Sequence, residues 1–222
     1  ISSNPISVCK ALQIKGYIDL FKKSEDYVRD KIAFSPVKKK ISYNKEQIDV
    51  IDSIKSSLKL KKFSSNLLHG VTGSGKTEIF IESIKTLIGM GKSSIVLIPE
   101  ISLTPQIAGR FKDVFGEHVA LWHSQLTKAQ RAKTWESINT GKSKIVIGAR
   151  SAIFSPIKNL GLIIVDEEHD TSYKQESPSP RYHARDVAIM RAKIENCSVI
   201  LSSATPSLET FYNYKVKKHN YL

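Results

Sequence analysis

Cysteine is scarce in this chain of 222 residues: there are two, Cys9 and Cys197, far apart and in no Cys-x-x-Cys spacing. Neither a disulfide framework nor a zinc site follows from thiols so placed, and they favour a reducing, cytosolic setting. Long apolar runs are lacking as well. The longest hold four residues, as at 162–165, far below the roughly 18 that would span a bilayer, so neither a membrane helix nor a membrane partner is expected. A starting Met and a basic-then-apolar leader are also missing from Ile1-Ser2-Ser3-Asn4-Pro5, which reads as the beginning of a fragment cut from a longer protein. Acidic residues are in deficit, 21 against 34 Lys plus Arg, which leaves a net charge of +13. With 41% hydrophobic residues the chain has enough apolar material to fold, which excludes a disordered class.

The positive charge is front-loaded, with +7 of it in residues 1–62. Clusters at Lys38-Lys39-Lys40, Lys61-Lys62 and Lys215-Val216-Lys217-Lys218 could neutralise nucleic-acid phosphates, or could simply be solvated surface lysine. Residues 11–16 read as the end of a helix, 17–21 as a short strand and 35–40 as a basic linker. From Asn44 the pattern becomes regular. Asn44 can cap a helix whose apolar positions Ile48, Ile51, Ile54 and Leu58 recur at helical spacing. Strands are predicted near 66–69, 95–99, 119–122, 144–148, 162–166 and 198–202. Helices are predicted over 76–88, 103–115, 128–139 and 184–194, the third introduced by a capping box, Thr127 with Gln130. Apolar strands alternating with amphipathic helices imply an α/β fold with a mostly parallel sheet covered by helices on both faces. No internal repeat or low-complexity tract is found.

Gly70-Val71-Thr72-Gly73-Ser74-Gly75-Lys76-Thr77 satisfies G-x-x-x-x-G-K-[ST], a pattern that chance would place in about one chain in a hundred of this length. It follows a predicted strand and opens a predicted helix, as a phosphate-binding loop requires. The glycines let main-chain N–H groups turn in around phosphates, and the helix N-terminus adds positive potential. Lys76 would reach the β- and γ-phosphates of ATP and the Thr77 hydroxyl would ligate Mg²⁺, with Gly70, Thr72, Gly73, Ser74 and Gly75 forming the cradle. The second half of such a site is Leu162-Ile163-Ile164-Val165-Asp166-Glu167. A strand ending in two carboxylates sets Asp166 at the carboxyl edge of the sheet, where it can hold the magnesium shell. Glu167 is then the natural general base for an attacking water.

Asp166-Glu167-Glu168-His169 resembles the acidic box of the DExH-type helicases of superfamily 2, and the chain is similar to the replication-restart (primosomal) DNA helicases among them. The likeness also rests on Leu97-Ile98-Pro99-Glu100-Ile101-Ser102-Leu103-Thr104-Pro105-Gln106, on Ile147-Gly148-Ala149-Arg150-Ser151-Ala152-Ile153-Phe154, on Ser172-Tyr173-Lys174-Gln175, on Arg181-Tyr182-His183-Ala184-Arg185-Asp186 and on Ser203-Ala204-Thr205-Pro206. It covers roughly residues 40–222. The resemblance implies a RecA-like first helicase lobe over 36–222, with 1–35 the tail of a winged-helix domain or a linker. It implies 3′-to-5′ unwinding of DNA at stalled forks and restart of replication, with single-stranded and forked DNA, primosome proteins and single-strand-binding proteins as partners, in a bacterial, nucleoid-associated setting.

Position by position, the resemblance makes Gln47 an adenine reader and makes His169, Ser203 and Thr205 links between the ATP site and the DNA track. Pro99, Glu100, Arg150 and Ser151 would line the single-stranded DNA groove. The stretch 172–185, with Tyr173, Lys174, Arg181, Tyr182 and Arg185, would be an aromatic-rich loop of stacking faces and phosphate partners, although Tyr182 and His183 could instead cap the helix at Ala184. The family's second lobe, with its arginines and its zinc-binding cysteines, has no counterpart in this sequence, so zinc is expected only there. Two other readings stay open. One is another superfamily 2 translocase, RecG-like or restriction-type, against which the segment after the acidic box speaks. The other is a non-enzymatic ATP-switched DNA-binding scaffold, against which Glu167 speaks. His69, His118 and His219 read as exposed or core histidines, His123 is unassigned, and Trp122 and Trp135 are expected in the core.

Overall fold

A computed structural model describes residues 12–17, 42–100 and 105–222. The chain divides into two units, Ile1–Lys40 and Ile41–Leu222. In the first, residues 12–14 are helical, and Gly16, at φ +72°, terminates the turn with its N–H on the Gln13 carbonyl. Apart from Tyr17, the strand expected over 17–21 lies outside the described residues, as do the linker at 35–40 and the motif residues 101–104.

The second unit opens on α1 (Lys45–Lys59), capped by Asn44, whose side chain accepts from the Gln47 N–H while the Gln47 side chain accepts from the Asn44 N–H. Ile51, Ile54 and Leu58 of α1 are buried, whereas Ile48 is 46% exposed and falls off the inward stripe. Five βα steps follow: β1 (Ser64–His69), α2 (Lys76–Gly89), β2 (Ser93–Leu97), α3 (Pro105–Phe115), β3 (Val119–Trp122), α4 (Lys128–Asn139), β4 (Ile145–Gly148), β5 (Leu160–Val165), α5 (Ala184–Ile194), β6 (Ser198–Ser203), α6 (Leu208–Lys215) and β7 (Asn220–Tyr221). One seven-stranded sheet results, in the order β3-β4-β2-β5-β6-β1-β7. Every strand pair in it is parallel.

Alternate residues of the central strands feed two cores. Leu68, Val96, Ile164 and Ile200 pack with Ile54, Ile84 and Phe111 of the helices on one face. Leu67, Ile95, Ile163 and Leu201 pack with Ala184, Ala188 and Ala192 of α5 on the other. This double burial is why the strands read as unbroken apolar runs. Trp122 is half-buried and packs against the second core, as expected, whereas Trp135 departs from expectation: it is 44% exposed and stacks at a tilt on Trp122, with centroids 5.7 Å apart. Strand β3 is the sheet edge, so the Trp135 ring beyond it has no second layer to enter. No described helix is long and apolar enough to cross a membrane.

Candidate active site

The turn from β1 into α2 is built by its glycines. Gly73 and Gly75 adopt φ +81° and +87°, a left-handed backbone that side chains disfavour. A Cβ on Gly75 would also lie 2.5 Å from Gln47 Nε2. Gln47 Nε2 itself donates to the Ser74 carbonyl at 2.8 Å, so the residue expected to read adenine also straps the loop to α1. No side chain caps α2, whose first N–H groups and positive dipole end are thereby available to an anion. Lys76 is folded back and 8% exposed. Its ammonium donates to the carbonyls of Gly70 at 2.7 Å and Val71 at 3.3 Å and lies 3.9 Å from the Glu167 carboxylate. Thr72 and Gly73 are exposed at the mouth, and Ser74 and Thr77 are half-buried.

Asp166 leaves β5 with its N–H on the Leu97 carbonyl at 2.9 Å. Its carboxylate accepts from Ser202 Oγ at 3.1 Å, and its main-chain carbonyl accepts from the Tyr173 hydroxyl at 2.6 Å. Burial, and then the neighbouring Glu167 charge, push the Asp166 carboxyl above the usual range, against the Ser202 hydrogen bond and Lys76. Glu167 sits at φ +45°, a left-handed turn that aims its carboxylate at Lys76 and to within 3.7 Å of His169 Nδ1. The Asp166 carboxylate, desolvated and only partly offset by Lys76, and the Thr77 hydroxyl are hard-oxygen donors of the kind that suit Mg²⁺. No cluster of three or more His, Cys, Asp or Glu that could hold a metal exists among the described residues.

Residues 44–213 match the family of DEAD/DEAH box helicases. The chain belongs to that family. Its likeness to the replication-restart helicases is borne out by similarity to the replication restart protein PriA of Bacillus subtilis, 52% identical over 166 residues, 75% of this chain and 20% of the relative. PriA of Chlamydia pneumoniae is 46% identical over 213 residues, 96% of this chain and 28% of the relative. The chain thus spans between about a fifth and three tenths of the length of these curated relatives. Among solved structures, RecG bound to a three-way DNA junction superposes with a TM-score of 0.62 at 23% identity, covering 82% of this chain and 23% of that one. That similarity shows the RecA-like fold.

Around the nucleotide elements of this helicase lobe, several expected DNA contacts have other partners. Tyr173 is fully buried and cannot offer a stacking face. It belongs to the core cluster that includes Ile163 and Val165, and its hydroxyl finds the Asp166 carbonyl. Arg185 is not a free phosphate partner either. Its guanidinium is 3.2 Å from Glu168, a carboxylate with no exposure that also accepts from the Ser207 N–H at 2.7 Å, Ser207 Oγ at 3.0 Å and Thr210 Oγ1 at 2.8 Å. A fully buried charge demands such partners. Pro99 is buried as well. His183 caps α5, its Nδ1 accepting from the Arg185 N–H at 3.3 Å.

Half-buried Tyr182 and Arg150 form a small cluster with exposed Phe154. Tyr182 meets Phe154 edge-on, centroids 5.0 Å apart, with the Arg150 guanidinium 5.9 Å from its ring centre. Arg150 also donates to the carbonyls of Ser172 and Lys174, at 3.2 and 2.8 Å. Lys174 and Arg181 remain exposed. Ser151 accepts from Trp122 Nε1 at 3.1 Å, and Glu100 accepts from Ser124 Oγ. Half-buried His123 lies nearby, its pKa lowered by burial, with Arg131 and Lys112 acting the same way and Glu100 opposing. Ser203 Oγ lies 2.7 Å from His169 Nδ1 and accepts from the Thr205 N–H at 2.9 Å. Sequence reasoning missed Ser202, Ser207 and Thr210, because a serine or threonine that satisfies a buried carboxylate carries no periodic or motif signal. The Tyr173 hydroxyl could have been found, since a tyrosine inside a buried turn needs a polar partner.

Proposed function

We propose that this lobe binds and hydrolyses ATP with Mg²⁺ as the first motor half of a 3′-to-5′ DNA helicase that unwinds stalled forks and restarts replication. The observation that carries the reading is the approach of Lys76, from the loop after β1, to Glu167, from the end of β5, at 3.9 Å: cation and base meet where a γ-phosphate and its attacking water would sit. Phosphate oxygens would draw the Lys76 ammonium away from the carbonyls of Gly70 and Val71. Glu167, released from Lys76, would take the proton of the attacking water. Thr77 and Asp166 would hold the magnesium ion, which would supply positive charge to offset that of the phosphates. Gln47 would face the adenine from the edge of the loop it straps.

DNA would cross the carboxyl end of the sheet past Glu100, Arg150, Ser151, Lys174, Arg181 and Tyr182. A second lobe would supply the arginines that complete the site, and the zinc. Single-stranded and forked DNA, primosome proteins and single-strand-binding proteins would be the partners in a bacterial cytoplasm. An arginine finger is worth on the order of 10³ to 10⁵ in rate, so the 222-residue chain alone should hydrolyse ATP poorly. The test is ATP hydrolysis with and without single-stranded DNA, by this chain and by the full-length protein. Strong stimulation in the full-length protein, lost in Glu167→Gln while ATP binding persists, supports the reading. A full-length protein that binds ATP without DNA-stimulated turnover is a scaffold and overturns it.

A further inference from the structure

His69 stands between the two halves of the nucleotide site. It is the last residue of β1, directly before Gly70, and although its ring reaches the surface, both nitrogens are engaged. Nε2 lies 3.2 Å from the Ala204 carbonyl oxygen and Nδ1 2.8 Å from the Tyr221 hydroxyl. A carbonyl can only accept, so Nε2 carries the proton. Nδ1 then offers a lone pair, and the Tyr221 hydroxyl must be its donor. Tyr221 is itself fixed: it pairs with Leu67 in the sheet, and the next residue, Leu222, exchanges main-chain hydrogen bonds with Leu67 and His69. The Tyr221 ring meets the imidazole edge-on, at 80° and 6.0 Å between centroids.

Ala204 belongs to the loop after β6, which the other half of the site grips one residue earlier, where His169 Nδ1 lies 2.7 Å from Ser203 Oγ. The Gly70 N–H adds a bond to the Ser203 carbonyl at 3.2 Å. Two histidines, one before the phosphate-binding loop and one closing the acidic box, thus hold adjacent residues where β6 ends and its following loop begins. We propose that His69 is a positioning residue of this motor: its Nε2–H registers the loop at 203–205 against the phosphate-binding loop, in the tautomer that Tyr221 selects. The inference rests on the ATP-hydrolysis reading above. Any shift of the phosphate-binding loop on nucleotide binding then reaches Ala204 through this directional hydrogen bond, beside the main-chain bond from Gly70 to Ser203.

In the full-length protein, His69→Ala and Tyr221→Phe should each lower DNA-stimulated kcat about five-fold, the worth of one hydrogen bond. KM for ATP should change by less than about two-fold, because neither side chain faces the phosphates. His69→Gln, whose amide can still donate to Ala204, should keep most of the rate. The double variant should be no slower than His69→Ala, since Tyr221 acts through His69. Independently of activity, the imidazole ¹⁵N shifts should report an Nε2–H tautomer in the wild type and a move toward Nδ1–H in Tyr221→Phe. An unchanged rate in His69→Ala, a loss that follows thermal stability and is not rescued by glutamine, or an Nδ1–H tautomer in the wild type overturns the proposal. A wild-type protein without DNA-stimulated hydrolysis overturns the functional reading instead, and the tautomer measurement still decides the assignment of the hydrogen bond.

Discussion

The Tyr173 hydroxyl donates to the main-chain carbonyl of Asp166 at 2.6 Å from a side chain with no exposure to solvent. Burial, then the surrounding carboxylates led by Asp166, raise the Tyr173 phenol well above its ordinary range, so the group stays a neutral donor. A residue of the loop at 172–185 therefore pins the backbone of Asp166, and under the proposed function any coupling of the loop to the metal site would run through this strut.

Tyr173 and Tyr182 should consequently separate when mutated. Tyr173→Phe keeps the ring and loses the strut, so it should cost about 1 kcal/mol of stability and reduce DNA-stimulated turnover. Tyr173→Ala would empty a core position and cost about 3–5 kcal/mol. Tyr182→Ala, at a half-buried surface ring, should leave thermal unfolding nearly unchanged while weakening DNA stimulation, since stacking is worth about 1–3 kcal/mol per base. Thermal melts beside ATPase assays on the same variants check this. A Tyr173→Phe variant with wild-type stability and turnover would show the strut to be idle.

Arg185 gives the opposite contrast. Removing it leaves the Glu168 carboxylate buried with its neutral donors and no cation, and breaking a buried pair costs about 3–5 kcal/mol. Arg185→Ala should therefore lower the chemical-denaturation midpoint markedly, and Arg185→Ala with Glu168→Gln should recover part of the loss. Were Arg185 a DNA phosphate partner, the single variant would instead keep its stability and lose only salt-sensitive DNA affinity.

The sequence is most legible where one physical rule governs a stretch. Capping boxes at Asn44 and Thr127 and doubly buried strands such as Leu160–Val165 announce themselves, and β3, α4 and α5 coincide with the expected ranges. Helix α6 has no such signal, because Leu208 is 86% exposed and Thr210 is the one buried residue its pattern contains. β7 is two residues long. In the site, the loop around Lys76 and the carboxylates after β5 follow from spacing. The fates of Tyr173, Arg185 and Trp135 do not, since burial of a single side chain depends on which distant element packs over it. Tyr173 and Arg185 sit in one short charged segment and read alike, yet the first is buried in the core and a buried glutamate captures the second.

Lys76 also acquires a structural share from its burial. Its ammonium satisfies two loop carbonyls and neighbours Glu167, so Lys76→Ala should abolish nucleotide binding and, in addition, cost about 1 kcal/mol, a fall of about 2–4 °C in Tm for a chain of this size. Calorimetric titration with ATP and Mg²⁺, paired with a thermal melt, reads both. Undiminished ATP affinity would remove Lys76 from the site. An unchanged Tm would mean that the folded-back conformation contributes nothing.

Acid should destabilise the lobe through its histidines. His123, His183 and His219 each have a pKa lowered from 6.5, in every case first by burial. The unfolded chain therefore takes up these protons before the folded one does. Stability from the neutral rings is complete above about pH 6.5 and is lost as pH falls from there through the depressed folded values. His183 has a visible cost, because a protonated ring cannot accept the Arg185 N–H that caps α5. Asp166 acts in the other direction, since a carboxyl with a raised pKa is favoured in the folded state once protonated; its gain on acidification is one group against three. In metal-free buffer, Tm should fall between about pH 7.5 and about pH 5.5. His183→Asn, which keeps an N-cap acceptor and does not titrate, should flatten that slope without lowering Tm at neutral pH. A Tm that is constant or rises over this range would mean that the histidines are solvated in the folded protein.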